Sequence, residues 1–232
     1  MHFKIFHNAE GAKNAYGLVV VIDVFRAFTT ECYVMANGAE KIIPAGDLSL
    51  AYKLKTENPD FILMGEQNGE IPSGFDYGNS PFLISEVDFS GKTVIHISTA
   101  GTKGMSNAQN ASEIITGSFV NAAAIAKYIK EKNVEIVSFV CTGTDNVTIR
   151  DEDALCAEYI QNLIEGKYND FDGIMKHVKS GGYIDRFIDP TITKYPIEDI
   201  DYCFALDKFD FVIKASSYGE DLIQLRVISN LA

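Results

Sequence analysis

The chain has 232 residues, 47% of them hydrophobic and 22% charged, with a formal net charge of -12 at pH 7. That length supports one large domain with a full core, and residues 1–232 read as a single unit because no linker, like-charge run or repeat interrupts them. The acidic balance excludes nucleic acid and anionic lipid as expected partners, no stretch is apolar enough for a membrane span or a leader, and four scattered cysteines suit a reducing cytoplasm better than disulfides or zinc.

Strands and helices alternate in the predicted elements. Residues 2–6 form a short strand, and 18–22 (LVVVI) form a central one whose unbroken apolar run suits a strand covered on both faces. A helix follows from Ala27 to a stop at Gly38. Residues 40–45 are a strand, and 47–58 are a helix capped by Asp47, with Pro59 just beyond its end. The strand 61–65 leads into a long loop over 66–81. The strand 92–97 precedes a Ser/Thr/Gly turn and a helix start at 101–109. Residues 112–117 are a strand, and 119–132 are an amphipathic helix with Phe119, Ala122, Ala123, Ala126 and Ile129 on one side. Residues 134–140 are a strand. A helix over 150–166 then carries acids in its first turn, where the helix dipole favours them. Short helices and loops fill 168–190, and 209–215 with 221–228 form a closing hairpin. The pattern predicts an α/β fold: three layers, a mostly parallel mixed sheet with helices on both faces, and a C-terminal β-hairpin.

Ligands of such folds bind beyond the carboxyl ends of the strands, so the residues there are the candidates. Asp23 and Arg26 follow the central strand, with Thr29 and Thr30 after them; a salt-bridged loop is the simplest reading of the first two. Glu66, Asn68 and Glu70 follow 61–65, and the segment GFDYGNSP adds Asp76, Asn79 and Ser80. Ser98, Thr99, Gly101 and Thr102 make a turn whose N–H groups and hydroxyls suit an anion or, equally, an ordinary helix start. Ser118 and Asn121 follow 112–117, and the loop 141–146 follows the next strand. Carboxylates gathered on one rim repel one another without a cation, and an all-oxygen set suits Mg²⁺. His96, inside an apolar strand, reads as a packed histidine rather than a general base. Glu152 and Asp153 read either as a first-turn dipole pair or as catalytic acids. All of this requires the segments carrying Asp23, Glu66 and Ser98 to run side by side in one direction. Nucleotide-binding, GxSxG and Cys-x5-Arg motifs are absent from the sequence.

The segments VVVIDVFRAFTT, GE at 65–66, GFDYGNSP, GKTVIHISTAGT, GSFVNAAAIA and EDALCAEYI, together with the final DKFDFVI, resemble the 2-phosphosulfolactate phosphatase (ComB-type) family of coenzyme M biosynthesis. The resemblance covers most of the chain in order. It implies an α/β enzyme that uses Mg²⁺ to hydrolyse a small anionic phosphate ester, 2-phosphosulfolactate, to 3-sulfolactate and phosphate. On that basis Asp23, Glu66 and Asp76 are expected around the metal, and Arg26 on the phosphate or sulfonate. Asn79, Ser80, Ser98, Thr99, Gly101, Thr102 and Asn121 are expected on the substrate, with Asp153 or Asp76 as the general base. The chain departs from the family pattern at Ala100, where the family usually has Asn, at Ala157–Glu158, and at Ile213, where Pro is common. Ala100 keeps two other readings open: a non-catalytic protein binding an anionic metabolite, and a phosphatase for another small phosphorylated hydroxy acid. An apolar hairpin edge would also allow a homodimer.

Overall fold

The computed structural model describes residues 1–143, 151–219 and 222–228. Its strands are β1 (His2–His7), β2 (Tyr16–Ile22), β3 (Lys41–Pro44), β4 (Ile62–Gly65), β5 (Thr93–Ile97), β6 (Asn110–Gly117), β7 (Ile136–Cys141), β8 (Val212–Tyr218) and β9 (Leu222–Ile228). The helices are α1 (Asn8–Ala12), α2 (Ala27–Ala36), α3 (Leu48–Glu57), α4 (Pro81–Ile84), α5 (Gly101–Asn107), α6 (Ala122–Lys132), α7 (Glu152–Glu165), α8 (Phe171–Ser180), α9 (Asp185–Ile188) and α10 (Glu198–Cys203). One sheet holds all nine strands in the order β1-β7-β2-β6-β8-β9-β3-β5-β4. Pairing is parallel within β1-β7-β2-β6 and within β3-β5-β4. The expected α/β class, mixed and mostly parallel sheet, and terminal hairpin are all present.

The hairpin's position differs from expectation. β8 pairs antiparallel with β6, and β9 antiparallel with β3, so the hairpin joins the two parallel blocks from inside the sheet. The edges are β1 and β4. The apolar hairpin edge that suggested a homodimer is therefore not an edge. Three antiparallel steps also reverse the sense of one block relative to the other. The strands ahead of Glu66 and Ser98 are neighbours, but β2, ahead of Asp23, belongs to the other block, so the three do not run side by side.

Both blocks nonetheless pack against α2, and the segments after β2, β4 and β5 line one cavity. Val19 and Val21 of β2, Ile42 of β3, Met64 of β4 and Val94 of β5 share one core with Ala27, Phe28 and Val34 of α2. Alternate residues serve the other layer. Leu18, Val20 and Ile22 pack with α6 and α7, and Ile43, Leu63 and Ile95 pack with Ala51 and Leu54 of α3. Each fully buried aliphatic side chain contributes about 1.5–3 kcal/mol, which fixes β2 between two apolar layers and aims its polar tail at the rim.

Side-chain caps start α3 and α7 among the helices. Asp47 accepts from Leu50 N at 2.8 Å and caps α3; Asp151 accepts from Ala154 N at 2.9 Å and caps α7. The expected apolar stripe is present, with Phe119, Ala122, Ala126 and Ile129 all buried, although residues 119–121 form a single 3-10 turn before α6. Of the expected residues only Ala123 is exposed, and Ile125 and Tyr128 are buried as well. Among the described residues no helix is long and apolar enough to cross a membrane. All four cysteines are buried and unbridged.

Candidate active site

A cavity of about 680 Å³ opens over the ends of β2, β4, β5 and β7 and the start of α7. Asp23, Glu66, Glu152, Asp153 and Asp185 bring five carboxyl groups to it, and Arg26 and Arg186 bring two guanidinium groups. Asn79, Thr99, Ala100 and Thr142 line it between them, with Tyr183 and Tyr195 at the side.

Asp23 is buried, and its Oδ1 accepts from Ala27 N at 3.0 Å in the first turn of α2. Burial raises its pKa; the Ala27 N–H opposes the rise and the charge of Glu66 adds to it. Gly101 lets α5 approach this carboxyl, since a Cβ there would sit 3.0 Å from Asp23 Oδ2. Asp153 accepts from Val24 N at 2.8 Å, which ties α7 to the tail of β2. Burial pushes its carboxyl well above the usual range, and the charges of Glu152, Asp23 and Asp151 add to the effect. Glu152 is pushed up to about 7, again chiefly by burial. Glu66 is held differently: Thr99 N at 2.7 Å, Thr99 Oγ1 at 2.9 Å and Gly69 N at 2.5 Å all donate to it.

The two arginines differ in kind. Arg26 is buried with Nη1 2.6 Å from Asp199 Oδ2 and 3.3 Å from Lys194 O, its guanidinium 4.5 Å from the Tyr195 ring centre. Arg186 is exposed. Its Nη2 donates to Phe25 O at 3.0 Å, and among the described residues it has no carboxylate partner within salt-bridge distance. Its charge lowers the pKa of both Asp23 and Glu152. The cavity thus combines buried acids with an exposed guanidinium that also lies 5.2 Å from the Phe187 and Tyr195 ring centres.

The family model described as 2-phosphosulpholactate phosphatase matches residues 5–217. The chain belongs to the 2-phosphosulfolactate phosphatase family. It is therefore a member of a family of phosphoric monoester hydrolases. It is 32% identical over 204 residues to a probable 2-phosphosulfolactate phosphatase of Bacillus subtilis, covering 87% of this chain and 88% of that protein. Proteins bearing the same name from Carboxydothermus hydrogenoformans (40% over 165 residues, 71% of this chain and 68% of that one) and Caldanaerobacter subterraneus (32% over 214 residues, 84% and 86%) are also similar.

The residues expected to serve this family's chemistry divide into two groups. Asp23, Arg26, Glu66, Asn79, Thr99 and Asp153 all line the cavity. Asp76 does not: it is exposed, accepts from Leu63 N at 2.8 Å and lies 3.7 Å from Lys55 Nζ, so it braces β4 against α3 and stands apart from the other acids. Ser80 caps α4 and donates to Asp199 at 2.7 Å. Ser98 and Thr102 bond each other, Thr102 N to Ser98 Oγ at 3.0 Å and Thr102 Oγ1 to Ser98 O at 2.8 Å. Asn121 completes a capping box with Ser118 and is fully buried. The expected anion turn thus spends its donors on itself and on Glu66, and the salt-bridge reading of Arg26 is correct, although its partner is Asp199 rather than Asp23. The loop 141–146 is described only to Gly143. Arg186 lies in a stretch whose sequence shows only short helices and loops, with no motif to single it out. The scarcity of arginine, at 26, 150, 186 and 226 alone, was the available signal.

Proposed function

We propose that the protein hydrolyses 2-phosphosulfolactate to 3-sulfolactate and phosphate, with Mg²⁺ as cofactor, in a reducing cytoplasmic compartment. The juxtaposition that carries the reading is Arg186 lining one cavity together with Asp23, Glu66, Glu152 and Asp153. The donor set fits a hard cation. The acids are all oxygen ligands, and burial and mutual repulsion make the charged forms of Asp23 and Asp153 costly, a cost that a bound cation removes. Among the described residues no three potential ligands form a closed metal cage. Mg²⁺ rarely uses one; it keeps several waters and binds through one or two carboxylates plus substrate phosphate. Asp23 and Glu66 are the residues that would hold it, and it would supply charge neutralisation at the phosphoryl oxygens.

The protein's own groups do the rest. Arg186 grips an anionic oxygen of the ester as a planar fork. Glu152, poised near neutrality, takes a proton from the attacking water as the P–O bond to lactate breaks. Asp153 holds the tail of β2 in place through Val24 N. The water oxygen bonds to phosphorus, the proton Glu152 has taken passes to the leaving oxygen of the sulfolactate, and inorganic phosphate is the second product. A related reading, a different small phosphorylated hydroxy acid as substrate, is favoured by Ala100, which lines the cavity where the family usually has Asn. Incubating the purified protein with Mg²⁺ and either 2-phosphosulfolactate or phospholactate, and assaying free phosphate, tests both. Preferred release from the sulfonate supports the first reading, preferred release from the carboxylate the second, and release from neither overturns hydrolysis.

A further inference from the structure

Asn79 lines the cavity, but its amide oxygen faces away from it, toward two fully buried ionisable residues. His96, in the middle of β5, places Nε2 3.2 Å from Asn79 Oδ1 and Nδ1 2.8 Å from Glu31 Oε1. Glu31 lies on α2, and both it and His96 are 0% exposed. With Oδ1 as the end of the Asn79 amide that faces the ring, the contact requires a hydrogen on Nε2, because an amide oxygen only accepts. One further proton is then shared between Nδ1 and Glu31 Oε1. Whichever of the two atoms holds it, the Glu31–His96 unit is neutral as a whole, which suits a site where an unpaired ion would be costly. Burial raises the Glu31 carboxyl in the same sense.

The arrangement is not economical as mere packing. Glu31 Oε2 and the neighbouring Thr116 Oγ1 face each other without a hydrogen bond of good geometry, although the Thr116 hydroxyl does lower the Glu31 pKa. Two apolar side chains of similar volume would fill the space without that cost. What the pair does accomplish is orientation. With Oδ1 held by Nε2–H, Asn79 turns its NH2 group from the ring, and among the described residues that group has no protein acceptor. The other neutral tautomer, with hydrogen on Nδ1 only, would make Asn79 donate to the ring and present an oxygen to the cavity, where it would repel an anion.

We propose that Glu31 and His96 are positioning residues that lock the Asn79 amide with its NH2 toward the cavity, making Asn79 a hydrogen-bond donor to an anionic oxygen of the bound ester. The proposal rests on the reading of the cavity as a phosphate-ester site, but its first test needs no substrate. A variant with His2→Gln, His7→Gln and His177→Gln retains His96 as its sole ring, and long-range ¹H–¹⁵N spectra then report that ring directly. Nε2 protonated at neutral pH is the expected result. An unprotonated Nε2 overturns the proposal, whether or not the protein proves to be a phosphatase.

The second test measures inhibition by inorganic phosphate. Asn79→Ala and His96→Gln are each expected to weaken phosphate binding about tenfold, and the double variant no more than Asn79→Ala alone, because His96 acts through Asn79. Additive losses would show that His96 acts elsewhere and would overturn the proposal. A wild-type protein that binds no phosphate would instead reject the phosphatase reading, while the ring tautomer still decides the orientation of Asn79.

Discussion

Asp199 Oδ2 lies 2.6 Å from Arg26 Nη1, and the two side chains are 0% and 5% exposed. The other carboxylate oxygen of Asp199 accepts from Ser80 Oγ at 2.7 Å and from Phe82 N at 3.0 Å. One acid on α10 thus joins the segment after β2 to the segment before α4. Removing it strands a buried guanidinium, so Asp199→Ala is expected to cost about 3–5 kcal/mol, read as a lower urea midpoint at unchanged slope. Arg26→Lys should also lose stability, because an ammonium reproduces neither the fork nor the stacking against Tyr195. An unaltered midpoint in both variants would deny the pair its structural role.

Arg186 makes the opposite case. It is exposed, with one hydrogen bond, to Phe25 O, and ring contacts to Phe187 and Tyr195 at its surface. Arg186→Gln is therefore expected to leave the melting temperature nearly unchanged while raising KM for the phosphate ester by about tenfold or more, the loss of a charge-assisted contact. A shifted melting temperature with KM intact would make it a structural residue.

The buried acids set a pH dependence whose sign is fixed. The Glu152 carboxyl moves from its ordinary 4.5 to about 7 in the folded protein, and burial moves Asp23 and Asp153 the same way. A raised folded pKa means the native state binds more protons, so this stability is complete below the ordinary value and is lost as pH rises through about 7. In chelator the melting temperature should fall between about pH 5 and pH 8, and Mg²⁺ should raise it more at the upper end. Glu152→Gln should flatten the decline. Calorimetric scans across that range, with and without Mg²⁺, check all three.

Much of this was legible in the sequence, for identifiable reasons. β2 declared itself because a strand covered on both faces must be apolar throughout, and α3 because Asp47 and Pro59 bracket it. The middle position of the hairpin was not legible: local patterning specifies that β8 and β9 pair with each other, but only the packed sheet decides which strands flank them. The cavity acids Asp23, Glu66 and Asp153 were found because strand ends and helix starts converge there. Asp76 misled because an Asp in a turn-rich segment looks the same whether it faces a cavity or, as here, Leu63 N and Lys55. Asp199, Arg186 and the partnership of Glu31 with His96 depend on contacts between residues far apart in the chain. No local pattern records such contacts.

The central claim is a phosphate-ester site whose metal is held by Asp23 and Glu66. It is tested most directly by Mg²⁺ titration of phosphate release from 2-phosphosulfolactate, comparing wild type with Asp23→Asn and Asp76→Asn. Wild type should show saturable Mg²⁺-dependent release, Asp23→Asn should fall by at least about 100-fold, and Asp76→Asn should stay close to wild type. A wild-type Mg²⁺ titration in Asp23→Asn would contradict the account.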